Sequence, residues 1–103
     1  MNETEALGAF AALSNESRLR VVKSLVEAGP DGLTAGEIAE QIGATPSRAS
    51  FHLATLADAG LVSSTKESRS VRYAVRFKAM GGLVRYLLDD CCKGNATVRS
   101  CCG

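Results

Sequence analysis

The sequence predicts a mainly α fold carrying one small β-hairpin (α+β), and three observations predict it. Apolar residues recur at helical spacing in several separate segments. Capping residues open those segments (Asn15, Thr34, Thr45) and glycines close them (Gly29, Gly43, Gly60, Gly94). One stretch, Val71 to Phe77, alternates with period two instead. A chain of 103 residues with 46% hydrophobic and 22% charged side chains is expected to form one folded domain. Its extent is residues 1–92, followed by a tail at 93–103.

Residues 3–13 read as a first helix, with Leu7, Phe10 and Leu13 apolar among alanines. Ser14 and Asn15 offer N-caps for a second helix through RLRVVKSLVEAG, with Leu19, Val22, Leu25 and Val26 inward, and Gly29-Pro30 ends it. Thr34 caps a third, AGEIAEQIG, in which Ile38, Ala39 and Ile42 face inward and Gly43 stops the run. Thr45 and Pro46 then supply the N-cap and first position of a fourth helix within TPSRASFHLATLADAGLV. Its inner stripe is Ala49, Leu53, Leu56 and Ala57, and its outer face carries Ser47, Phe51, Ala54 and Asp58, flanked by Arg48, Ser50 and Thr55. Two short helices joined by a tight glycine-containing turn make a helix-turn-helix candidate, whose second helix offers its N-terminal turns to the major groove of DNA.

Leu61 to Lys66 and Val71 to Phe77 read as two strands with Glu67-Ser68-Arg69 at the hairpin tip. In the second, Val71, Tyr73, Val75 and Phe77 share one face, and Arg72, Ala74 and Arg76 the other. A basic hairpin directly after such a helix is a wing, suited to following the phosphate backbone. Ala79 to Cys92 returns to helical period through Met80, Leu83, Val84, Leu87, Leu88 and Cys91, with Arg85 and Asp89 as an i,i+4 pair. Beyond Gly94 the segment NATVRSCCG has no periodicity and is expected to be mobile.

The net charge of +1 conceals a separation: residues 1–44 balance at −4, residues 45–78 at +4, and residues 79–103 at +1. A positive module at the fourth helix and wing fits a phosphate-contacting surface, and a solvated charged face has the same composition. The opening MNETEALGAF lacks the character of an export signal, and no apolar run is long enough to span a bilayer. A cytoplasmic protein with no membrane partner is expected.

With this order of elements the chain resembles the ArsR/SmtB family of winged helix-turn-helix repressors over residues 5–92. The resemblance rests on ALSNESRLRVVKSL, EIAEQIG, SFHLATLADAGLV and the wing SRSVRYAV, in order and closely spaced. SFHL followed by AGLV, with a late Cys-Cys after an aliphatic helix, looks most like the arsenic- and antimony-responsive branch. The resemblance implies a homodimer formed through the first and last helices and bound to double-stranded operator DNA. There are departures. Many relatives carry a Cys-x-Cys pair on the helix before the recognition helix, where this chain has Leu33-Thr34-Ala35-Gly36-Glu37. The last helix holds Asp89 and Asp90 but no histidine for a zinc-type site, and Ser68 stands where wing tips often carry glycine.

All four cysteines, Cys91, Cys92, Cys101 and Cys102, lie in the last 13 residues. Cys91 continues the helix stripe, but packing does not account for the others, and a cytoplasmic protein keeps its thiols reduced. Structural zinc prefers Cys-x2-Cys-like spacing, which is absent. Soft thiolate donors and the family resemblance together point to trivalent arsenic or antimony as inducing ligand, with no cofactor required. A thiol-redox or soft-metal (Cd, Zn, Pb) sensing repressor of the same fold is the alternative. Cys92 and Arg99 loosely resemble a phosphatase phosphate loop, but the spacing is one residue too long and the pair follows a helix, so no enzyme is expected. The expected DNA contacts are Ser47, Arg48, Ser50 and Phe51 in the groove, His52 at its flank with packing as the equal alternative, and Arg69 and Arg72 on phosphates.

Overall fold

A computed structural model describes residues 1–102, with Cys102 described by its backbone alone. The element order is α1 (Glu3–Leu13), α2 (Glu16–Ala28), a 3-10 turn (Gly29–Asp31), β1 (Leu33–Thr34), α3 (Ala35–Ile42), α4 (Pro46–Asp58), β2 (Val62–Glu67), β3 (Ser70–Val75), α5 (Phe77–Arg85), a π-helical turn (Tyr86–Cys91) and α6 (Ala96–Cys102). The architecture is mainly helical with a small antiparallel sheet, as the patterning predicts.

Local chemistry opens the helices where expected. Asn15 accepts from the Arg18 amide at 3.1 Å, and Thr45 Oγ1 accepts from the Arg48 amide at 3.2 Å. At α3 the Thr34 side chain and Glu37 carboxylate each accept the other's backbone N–H, a full capping box. Asn2 and Glu5 do the same at α1. Gly43, at φ +66, closes α3 in a left-handed conformation and turns the chain into α4 within two residues.

The core gathers under α4. Leu25, Ile38, Leu53, Leu56, Leu61 and Val21 are fully buried, with Ala6, Ala9 and Ala12 of α1 closing one side. Small residues on that face let α1 approach closely, which leaves the larger Leu7 outside at 61% exposure. In α2 the buried set is Val21, Val22 and Leu25, whereas Leu19 and Val26, expected inward, are exposed. Six of the 13 residues of that helix are apolar and spread over a broad face, and only the position of α3 and α4 selects the part that buries.

The sheet has strand order β1-β3-β2. β2 and β3 form the hairpin in register from Val62↔Val75 to Glu67↔Ser70, so the tip reduces to Ser68-Arg69, with Ser68 at φ +51. The two-residue β1, not foreseen in the sequence, adds to the other edge through Leu33↔Tyr73 and Thr34↔Arg72. Phe77, expected on the strand face, begins α5 and is half exposed. The last helix also departs from its expected continuous form. It loosens into the π turn at Tyr86, where the Cys92 amide bonds to the Leu87 carbonyl at 2.9 Å. The aperiodic tail contains α6, opened by Asn95 accepting from the Thr97 and Val98 amides.

Candidate nucleic-acid interface

Two surfaces gather the residues singled out from the sequence: the outer face of α4 with the wing, and the turn that bears the cysteines. On α4 the stripe Ala49, Leu53 and Leu56 is fully buried, so the rotation of the helix about its axis is set by packing. That rotation exposes Ser47, Arg48, Ser50 and Phe51 in the first two turns, Phe51 at 65%. Leaving a phenylalanine that open costs apolar hydration, and with Ser47 and Arg48 it lines a groove completed by Gly43, Ala44, Thr45 and His52. Hydroxyl, guanidinium and aromatic ring match the donors, acceptors and thymine methyl of base-pair edges.

His52 differs from its neighbours. It is 8% exposed, its ring edge-on to Phe51 with centroids 5.9 Å apart. Arg18 on α2 reaches it: Nη1 lies 3.4 Å from His52 Nδ1 while Nε donates to the Ala12 carbonyl at 2.6 Å. Burial, then the charges of Arg18 and Arg48, lowers the His52 pKa, so the imidazole is held neutral with Nδ1 accepting. His52 thus lines the groove while almost wholly buried, in a packing position. Arg18 carried no signal in the sequence as a partner of α4, because the two residues stand 34 positions apart.

In the wing, Lys66 and Arg69 are exposed, as phosphate-contacting groups need to be. Arg72 is half-buried and engaged: Nε donates to Glu67 Oε1 at 2.7 Å and Nη1 approaches the carbonyls of Asp31 and Gly32 at 3.3 and 3.4 Å. Arg76, from the end of β3, lies 3.4 Å from the Gly60 carbonyl with its own Nη1, next to the end of α4.

On the turn after α5 Cys91 is exposed and Cys92 half-buried, and Cys101 on α6 is exposed. Cys102, expected as a fourth thiolate ligand, has its side chain outside the described residues. Asp89 pairs with Arg85 at 3.2 Å, as the i,i+4 spacing suggested, and with Arg99 of α6 at 3.5 Å. That second pair holds α6 back against the π turn. Among the described residues no three His, Cys, Asp or Glu side chains are gathered closely enough to hold a metal ion. The donor chemistry therefore suits a thiophilic ligand, while the described thiols do not form a ready-made cage for one. No helix among the described residues is long and apolar enough to cross a membrane.

Known proteins resemble this arrangement. A helix-turn-helix domain family model matches residues 13–65. The chain is 39% identical over 67 residues to an uncharacterised HTH-type transcriptional regulator, YceK, of Bacillus subtilis, covering 65% of this chain and 66% of that protein. It is 31% identical over 94 residues to a probable mercury resistance operon repressor of Streptomyces lividans, covering 90% of this chain and 71% of that one. A solved ArsR-like transcriptional regulator from Rhodococcus sp. RHA1 matches with a TM-score of 0.73 and 27% identity, over 94% of this chain and 89% of that one. With the recognition helix, the wing and these relatives in agreement, the chain belongs to the ArsR family of winged helix-turn-helix, DNA-binding transcriptional regulators and is not an enzyme.

Proposed function

We propose that the chain is a homodimeric repressor that binds double-stranded operator DNA and is released when trivalent arsenic or antimony, or an organoarsenical, binds its C-terminal thiolates. The observation that carries the DNA contacts is the exposure of Ser47, Arg48, Ser50 and Phe51 on a helix whose opposite face is fully buried. These residues read base edges, Arg69 contacts phosphate, and His52 supports the helix from behind. Dimerisation through α1 and through α5 with its π turn is supported by apolar side chains left in water there: Leu7, Val84 and Leu87 are 61%, 50% and 39% exposed. A dimer places two recognition helices about 34–36 Å apart, one turn of DNA.

The sensing part rests on the thiols at the end of the dimerisation helix. Residues 1–92 act as the DNA-binding and dimerisation unit and residues 93–103 as the cysteine-bearing segment. The Arg99–Asp89 pair, which keeps α6 beside the turn that bears Cys91, supports a ligand shared between Cys91 or Cys92 and Cys101 or Cys102. Similarity to a probable mercury resistance operon repressor supports a thiophilic inducer. Because α5 continues into the cysteine-bearing turn, a ligand there is coupled to the dimer interface and through it to helix spacing. Coupling of about 1–3 kcal/mol weakens operator binding about 5- to 150-fold.

The test is fluorescence anisotropy of the full chain on the DNA upstream of its gene, with arsenite or antimonite added. Wild type should release the duplex. The double variant Cys91→Ser, Cys92→Ser should bind equally well and stay bound. A variant lacking all four thiols that still releases DNA on adding metalloid refutes the sensing site, and release only under peroxide reassigns it to thiol redox chemistry.

A further inference from the structure

Arg72 was expected on the DNA backbone, yet its surroundings are those of a structural clamp. It lies on the central strand β3, opposite Thr34 of β1 and Thr65 of β2, so its side chain can reach across the sheet in both directions. Its Nε takes the Glu67 carboxylate at 2.7 Å, at the last pair before the wing tip. Its Nη1 turns the other way, towards the Asp31 and Gly32 carbonyls at 3.3 and 3.4 Å. The turn on that side packs closely against β3. Gly32 is buried at φ +65, and a Cβ there would collide with the Tyr73 carbonyl of β3. One guanidinium therefore joins the tip end of the hairpin to a turn fixed on the body of the domain.

The charge around Arg72 is wrong for receiving a phosphate. The hydrogen bond that Arg72 donates to Glu67 foremost, then the charges of Glu67, Glu37 and Asp31, strengthens its hold on its proton. A phosphate would have to approach a cation already surrounded by carboxylates. Lys66 and Arg69 are exposed without such competition on the same hairpin.

We infer that Arg72 is a positioning residue: the Glu67–Arg72–turn bridge holds the wing at the angle from which Lys66 and Arg69 meet the phosphate backbone. The need for such a brace follows from the hairpin itself, since Ser63 to Glu67 are all solvent-exposed along β2. A two-stranded projection of that kind is only marginally rigid in water. A planar fork with several donors can bridge two sets of acceptors, which a lysine ammonium does less well. The inference rests on the DNA-binding reading of the wing.

The sign of one substitution separates a brace from a phosphate contact. Removing the Glu67 charge with E67Q should strengthen DNA binding if electrostatics alone governs the wing. If Glu67 anchors the brace, E67Q should weaken binding, by up to about fivefold, the upper end of what a part-exposed ion pair supplies. The experiment is anisotropy of the full-length wild type, R72A, R72K, E67Q, the double variant R72A/E67Q, and R69A. All are titrated on one mixed-sequence 30-base-pair duplex between 50 and 200 mM NaCl. R72A should weaken binding because a loosened wing must be ordered again on the DNA, while Lys66 and Arg69 still reach phosphate there and leave the salt slope unchanged, and R72K should not restore affinity. R69A should reduce the slope by about 0.9, the signature of one lost phosphate contact. The double variant should be no weaker than R72A, because both changes break one bridge. Thermal midpoints should stay within about 4 °C of wild type, which separates wing placement from general destabilisation. A lower salt slope in R72A rescued by R72K, or tighter binding by E67Q, overturns the brace while leaving wild-type binding intact. A wild type that binds no duplex at 50 mM NaCl overturns the DNA-binding reading, and the brace with it.

Discussion

Acidification probes the junction between α2 and α4 more sharply than any truncation. His52 is 8% exposed, and burial, followed by the charges of Arg18 and Arg48, holds its pKa below the ordinary 6.5. The unfolded chain then takes up a proton on His52 at a pH where the folded chain does not. More protons bound in the unfolded state means that stability falls as pH drops. The contribution is complete above about pH 6.5 and declines below it, by at most about 1.4 kcal/mol per pH unit, until the folded imidazole titrates as well. The structural origin is explicit: a proton on Nδ1 would face the Arg18 Nη1 donor 3.4 Å away, donor against donor. Urea unfolding of wild type and His52→Gln at pH 7.5, 6.5 and 5.5 measures it. Glutamine stays neutral, and every other titrating group is common to both proteins and cancels in the difference. Glu37, whose pKa the Thr34 hydrogen bonds lower, loses its contribution only below its ordinary 4.5, outside this window. The stability of wild type minus that of the variant should fall steadily toward pH 5.5. A difference that stays flat, or grows toward acid, refutes the argument that His52 is buried neutral against Arg18.

Three further outcomes are expected. Leu53→Ala empties a fully buried position beneath the recognition helix and should cost about 2–5 kcal/mol in urea unfolding. Thr34→Ala removes the cap on the Glu37 amide and should cost about 0.5–2 kcal/mol, while metalloid release of DNA persists because the sequence from Leu33 to Ile42 contains no cysteine. Arg48→Ala should lower the preference for operator over random DNA, by about 1–3 kcal/mol if it pairs with guanine, with competition anisotropy as the measurement.

What the sequence determined by itself is whatever a few neighbouring residues decide. Thr45 and Pro46 set the start of α4 because the cap bond spans three residues, and Gly43 sets the turn before it because only the local backbone is involved. The alternation from Val71 to Val75 announced a strand because side chains in extended backbone point to opposite faces whatever lies around them. The clustering of thiols near the end of the chain was likewise plain, being a matter of position alone.

Tertiary structure decided everything that depends on distant neighbours. Leu19 and Val26 were expected inside and are outside, because α2 has more apolar surface than α3 and α4 can cover. His52 passed from the flank of α4 into its packed side when Leu53 and Leu56 fixed the helix rotation, and its partner Arg18 comes from another helix. The two residues of β1 have no strand signal of their own, since they gain their hydrogen bonds only from β3. The regular helical spacing from Met80 to Cys91 predicted an unbroken α-helix and could not reveal the π turn, because the pattern reports which residues are apolar and not which carbonyl each amide selects. Arg72 is the clearest case. Its place in a basic strand suggested a free cation, and only the folded sheet brings Glu67 and the turn at Gly32 to its two ends.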